Sequence, residues 1–276
     1  MVSMEWLKLL KRPMTWIIFL FLVPGTAGIM VLSYLSVILS NTDPELRAIN
    51  VQSELLPLGI MNSLEIAGAL GGILMVVLAA ALIGSEYGWG TIRPLVGSGA
   101  TRSKVFLAKL IALIEAVITF VILAIAAGCL ASLALTWFEG NPITLGTVDT
   151  AWVLDLGLSI ARTTFVIFVG ATIAFSVAYV TRSLAAGIGI GIAWMILEQV
   201  LSLFLERLGK TGEVIRDLLI STNTNALSMR NGFGTSELPP GVPAEYQAVG
   251  VLALYCILLL GFAWLVFRRR DIASGS

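Results

Sequence analysis

The chain has 276 residues, 58% of them hydrophobic and 12% charged, with a mean hydropathy of +0.95. A water-soluble domain carries about 45–50% apolar and about 25% charged residues, so one aqueous core cannot hold this much apolar side chain, and the bilayer is the expected solvent. Seventeen bases balance seventeen acids, which says nothing about partners, and the lack of histidine removes the commonest general base and metal ligand.

Residues 4–12, MEWLKLLKR, place Trp6, Leu7, Leu9 and Leu10 on one helical arc and Glu5, Lys8, Lys11 and Arg12 on the opposite one. That is the pattern of an amphipathic helix lying in a membrane interface. It reads as a topology anchor or as a docking element for a cytoplasmic partner.

A helix rises 1.5 Å per residue, so about 20 apolar residues cross the hydrocarbon. Residues 13–42 carry no charge until Asp43 and form the first span. The run is too long and uniform for a signal peptide and has no neat small-residue cleavage site, so it is expected to be retained. Residues 66–85, between Glu65 and Glu86, form the second span. Gly68, Gly71 and Gly72 within it are small enough to let helices approach closely.

The stretch SEYGWGTIRPLVGSGATRSKVFLAK, residues 85–109, combines glycines with bases. A phosphate-cradling loop needs Gly-Lys-Ser/Thr at the start of a helix. Here Gly99 is followed by Ala100, Thr101, Arg102, Ser103 and Lys104. A dinucleotide fingerprint needs a preceding strand, and what precedes is an apolar helix. The chain therefore shows no ATP site. Pro94 suits the first turn of a short helix over residues 93–96, which Gly97 and Gly99 break, and Thr101 is placed to cap the next helix. The pattern is span, break, short helix, break, span.

The third span covers residues 116–138, starting nearer Val105, with Glu115 about 9 Å past Lys109 by helical rise. The fourth covers residues 163–181 and the fifth residues 183–205, with Glu198 inside it and Gly187, Gly189 and Gly191 alternating. Residues 206–245 follow: 206–220 has helical spacing, and the Asn-, Gly-, Ser- and Pro-rich remainder reads as a loop. The sixth span covers residues 246–267. Cys129 and Cys256 sit singly in apolar runs and read as small buried hydrophobes. Trp6, Trp16, Trp137, Trp152 and Trp264 fall near the expected interfaces.

With both termini cytoplasmic, the inner side holds Lys8, Lys11, Arg12, Arg93, Arg102, Lys104, Lys109, Arg182 and Arg268 to Arg270. The outer side holds Arg47, Arg207, Lys210, Arg216 and Arg230, mostly in one long loop. That distribution follows the positive-inside rule. An ionisable residue at bilayer depth usually has a partner or faces water. Helical rise puts Glu65, Arg162 and Glu198 at similar outer levels. Arg162 paired with Glu65 or Glu198 is one reading, and an outer gate or substrate contact is the other. Glu115 either snorkels, pairs with a base or belongs to that path.

The pattern Glu86, Gly90-Thr91-Ile92-Arg93, Gly99, Thr101-Arg102 and Ala108-Lys109 resembles the type-2 family of ABC export permeases. The ending Phe267-Arg268-Arg269-Arg270-Asp271, and Thr181-Arg182-Ser183 after the fourth span, are similar to the same family. The likeness spans essentially the whole chain. It implies an all-α membrane protein, residues 1–276 forming one permease domain. Six transmembrane helices would place both termini in the cytoplasm, with an interfacial helix over residues 1–12. A cytosolic coupling loop over residues 85–104 and an external segment over residues 206–245 complete the expected architecture. It further implies a multi-pass protein of a prokaryotic plasma membrane, paired with a second permease subunit as homo- or heterodimer. Two separate ATPase subunits would bring ATP and magnesium, and this chain would bind no cofactor, metal or nucleic acid. Glu86, Thr91, Arg93, Arg102 and Lys104 would carry the ATPase coupling. Glu65, Arg162, Glu198 and Glu115 are the candidates for a gate or substrate path. An ATP-independent channel or carrier keeps the six spans without needing the cytosolic lever. An intramembrane enzyme would need a nucleophile and base that the scattered acids do not offer. The oily spans lean toward a hydrophobic or amphipathic cargo.

Overall fold

A computed structural model describes residues 2–40, 43–91, 101–141, 148–231, 238–239 and 241–269. Every regular element among them is helical. In chain order they are α1 (Val2–Lys11), α2 (Pro13–Leu39), α3 (Pro44–Glu54), α4 (Gly59–Gly88) and α5 (Arg102–Phe138). After these come α6 (Thr150–Thr181), α7 (Leu184–Leu205), a 3-10 turn (Glu206–Leu208), α8 (Gly209–Arg216), α9 (Ile220–Ser228) and α10 (Glu245–Arg269). Six helices are long and apolar enough to cross a membrane: α2, α4, α5, α6, α7 continuing through α8, and α10. The short helix expected over residues 93–96, and Arg93 with it, lie outside the described residues.

The expected spans are present, but the helices outrun them. Over its 37 residues, α5 extends about 55 Å, well beyond a hydrocarbon core of about 30 Å. Its first turns carry Arg102 and Lys104, with the buried Lys109 further in. Thr101 occupies the N-cap position of α5 without a side-chain bond, so its expected capping role is not taken up.

Two elements depart from the sequence reading. Residues 44–54 fold into α3, led by Pro44 at its first turn, and its end is tied to α2. The buried Glu54 accepts hydrogen bonds from Ser33 Oγ and Asn62 Nδ2, each at 2.6 Å. Residues 221–228, expected as loop, belong with Ile220 to α9. Ala226 and Leu227 are buried there with Val169, Ala248 and Leu252, and that burial overrides the loop-like composition.

At the centre lies α4, with α2, α5, α6 and α7 around it. Lipid is as apolar as leucine, so close packing rather than hydrophobicity must hold such helices together. Glycine supplies the closeness. A Cβ at Gly71 would come within 2.6 Å of Ile167 and 2.8 Å of Phe120, and one at Gly84 within 2.4 Å of the Leu184 backbone. From the other side, Gly187 and Gly191 of α7 seat against Ala80 and Val76. Gly68 and Gly189 meet nothing, so they are not part of this packing. The chain turns sharply between α6 and α7 at Arg182, whose φ of 57° is left-handed, and Ser183 Oγ then accepts from Ala186 N to start α7.

The connections bring both described ends of the chain to the same end of the bundle. There α1 meets α4 and α5, and Arg102 at the head of α5 meets the tail of α10. At the far end stand α3, the tail of α5, α8 and α9.

Candidate functional site

Two groups of polar residues stand out, one at each end. At the terminal end, four charges from α1, α4 and α5, and Arg12 from the joint between α1 and α2, close on each other. Lys109 of α5, with none of its surface exposed, lies 2.8 Å from Glu5 Oε2 and 2.7 Å from Glu86 Oε2. Lys109 Nζ also donates to the Leu82 carbonyl at 3.3 Å. Lys8 reaches Glu5 at 2.6 Å and Glu86 at 3.2 Å, and Arg12 reaches Glu86 at 3.1 Å. Glu5 and Glu86 are both buried. Such charges are tolerated away from water only when each has partners, as they do here. Burial pushes the Glu5 carboxyl up, but Lys109 and Lys8 outweigh it and hold the group below its ordinary range. Burial likewise pulls the Lys8 amine down, and Glu5 and Glu86 outweigh it and raise it.

Of the polar arc, Glu5, Lys8 and Arg12 turn toward the bundle together with Leu9, while Lys11 is exposed, as are Met4, Leu7 and Leu10. The sorting follows from the two carboxylates and Lys109, which draw the charged side in. Arg12 also lies 5.6 Å over the Trp89 ring, and Arg182 lies 5.9 Å over Tyr87, so bases flank the tail of α4. Next to the network, Phe106, Phe175, Tyr179 and Phe267 join α5, α6 and α10 with ring centroids 5.0 to 5.7 Å apart.

The expected coupling residues divide around this network. Glu86 is inside it. Arg102 donates to the last carbonyls of α10, Arg268 O at 2.7 Å and Phe267 O at 3.4 Å, so it fastens the sixth span. Thr91 is exposed and its backbone N–H donates to Glu86 O at 3.0 Å; Lys104 is exposed. Glu115 borders a groove with Val2, Ser3 and Trp6 of α1, at the terminal end rather than with the outer acids.

At the far end a cavity of about 410 Å³ opens between α4, α6, α7 and α9. Glu65 and Glu198 both line it. Arg162 does not line it and pairs with neither. Its guanidinium grips Glu245 at the head of α10 through two bonds of 2.7 and 3.1 Å, and donates to Arg230 O at 3.0 Å. The expected pairing of Arg162 with Glu65 or Glu198 is thus replaced by a clamp from α6 to α10. Equal depth fixes height along a helix but not direction around it, which is why the partner was missed.

Glu198 is buried, with its charge on the head of α9. Its carboxylate accepts from Ile220 N at 3.2 Å and Ser221 N at 2.6 Å, two amides that the helix leaves unpaired. It thereby fixes α9, which lays Ser221, Thr224, Asn225 and Ser228 along the cavity wall at helical spacing. Opposite this wall, Asn231 Nδ2 donates to Thr163 Oγ1 at 2.9 Å. Apart from Gln199, the remaining lining is mostly apolar, including Ile73, Val166 and Met195, with Trp194. Sequence reasoning missed Glu5, Lys109 and Glu245 as partners, and the polar face of α9. Only Glu5 left a signal, by sharing an arc with Lys8 and Arg12.

Among known proteins, the model of one family, described as "Protein of unknown function (DUF2705)", matches residues 46–273. No curated protein matches the chain.

Proposed function

The chain belongs to the DUF2705 family, and we propose that it is the transmembrane permease subunit of an exporter driven by separate ABC ATPase subunits. The observation that carries the reading is the buried network of Glu5, Lys8, Arg12, Glu86 and Lys109. It joins α1 to α4 and α5 on both sides of residues 92–100. A force applied to that connection or to α1 is therefore passed to both helices as one body. Among the described residues nine bases, Lys8, Lys11, Arg12, Arg102, Lys104, Lys109, Arg182, Arg268 and Arg269, belong to this end, which the positive-inside rule assigns to the cytosol. ATP binding between two partner ATPases would displace the tied unit and tilt α4 against α6, alternating access to the far-end cavity. In this reading the pathway forms between two permease subunits in a prokaryotic plasma membrane, and ATP and magnesium stay with the partners.

Purification of the chain from its native membrane tests the proposal. A soluble ATPase should accompany it, with turnover that depends on the chain and is uncoupled from transport by replacing residues 93–104. Transport by a purified chain without any ATPase would overturn the reading in favour of a channel or carrier, which would use the cavity alone.

A further inference from the structure

We infer that the far-end cavity is a binding site for an organic cation with an apolar body, and that Glu65 is the group that reads its charge. Resting on the transport reading for its purpose, the inference rests on the cavity itself for its chemistry.

The first observation is where α4 is open. Packed on nearly all sides, this central helix has three exposed residues before its last turn: Glu65, Ala69 and Ile73. They recur every fourth position, so they form one stripe, and all three line the cavity. A buried helix has opened one line to this space and placed a carboxylate on it.

Second comes the balance of charge. Among the described residues two carboxylates line the cavity and no lysine or arginine does. Glu198 is committed to the amides of α9. The nearest arginine along the chain from the lining residue Thr163 is Arg162, and Glu245 holds it. Glu65 makes no ion pair among the described residues. Its negative charge is therefore left for whatever enters, and in a space walled by Ile73, Val166, Ile173 and Met195 that attraction is stronger than in water.

The third observation is the shape of the complement. The volume of about 410 Å³ suits a small organic molecule. Trp194 offers an aromatic face that attracts cations. Along α9 the hydroxyls and amides of Ser221, Thr224, Asn225 and Ser228 offer neutral hydrogen bonds without a competing charge. A metal ion would want several carboxylate or carbonyl ligands, and no group of three or more metal-ligating side chains occurs among the described residues.

Binding of labelled tetraphenylphosphonium to the full chain in lipid nanodiscs, with empty nanodiscs subtracted, tests this without any ATPase. Saturable binding is expected, displaced by benzyltriethylammonium and not by benzenesulfonate. Glu65→Gln should weaken it by about tenfold or more, and Glu65→Asp by less, with melting temperature unchanged in both. Trp194→Ala should weaken it by about threefold to tenfold. Absence of saturable binding, equal displacement by the sulfonate, or undiminished affinity in Glu65→Gln would each overturn the inference. Because no ATPase enters the assay, such a result leaves the transport reading standing. Loss of the ATPase partner, conversely, leaves the cation site standing.

Discussion

The two ends of the bundle hold their carboxylates under opposite rules. At the terminal end Glu5 and Glu86 are surrounded by Lys8, Arg12 and Lys109, so every charge is answered by another side chain. At the far end Glu198 is answered by backbone amides and Glu65 by no described base. The first arrangement joins helices, and the second keeps a space polar and open. The lesson is that burial of an acid in a membrane protein has no single meaning: what faces the carboxylate decides whether it fastens or receives.

Removing the base at the centre of the first region is the hardest test of that contrast. Lys109→Met leaves Glu5 and Glu86 facing each other with only the more exposed Lys8 and Arg12 nearby, and should cost about 3–5 kcal/mol. Thermal unfolding in detergent measures it; a loss below 1 kcal/mol would mean that the network is not a fastener. Glu198→Leu attacks the far end with a smaller expected loss, about 1–2 kcal/mol, localised to α9. Hydrogen exchange at Ile220 and Ser221 should accelerate there and leave α1 unchanged. Smaller again is Arg102→Ala, which frees the last carbonyls of α10 and should cost about 0.5–1 kcal/mol, read as faster exchange confined to the last turn of that helix.

Acidity sharpens the comparison with the least perturbation. The Glu5 carboxyl titrates below its ordinary range when folded, so its contribution is present above about pH 4.3 and is lost as pH falls through the lowered value. The Lys8 amine titrates above its ordinary range, so its contribution is present below about pH 10.4 and is lost as pH rises through the raised value. Proteolytic release of α1 should therefore stay low between those limits and rise on both sides. Glu5→Gln should remove the acid limb and shrink the alkaline one, since Glu5 also helps to raise the Lys8 amine, and an unchanged acid limb would assign it to another group.

How much of this could be read from the chain depends on the range of the interaction. The six apolar helices were legible because each needs about 20 local residues to announce itself. Their true lengths were not, since α4 and α5 continue into polar turns held by partners elsewhere. The fold of α9 was hidden for the same reason: STNTNALS reads as loop until Glu198, 22 residues before Ile220, accepts its first amides. The shared level of Glu65 and Glu198 was visible from helical rise, and both do line one cavity. The clamp of Arg162 on Glu245 was not, because α6 and α10 meet only in three dimensions.

The burial of Lys109 also bears on how the chain is assembled during synthesis. Its carboxylate partners lie 104 residues earlier on α1 and, as Glu86, on the preceding span. As α5 emerges from the insertion machinery, this lysine needs a neutralised berth, and the pair already made by α1 and α4 can supply it. The first helix would then act as a template for placing the third span. Expression tags fused ahead of Met1 would burden that step, whereas tags after Ser276 would spare it, and the yield of inserted protein from the two fusions would show the difference.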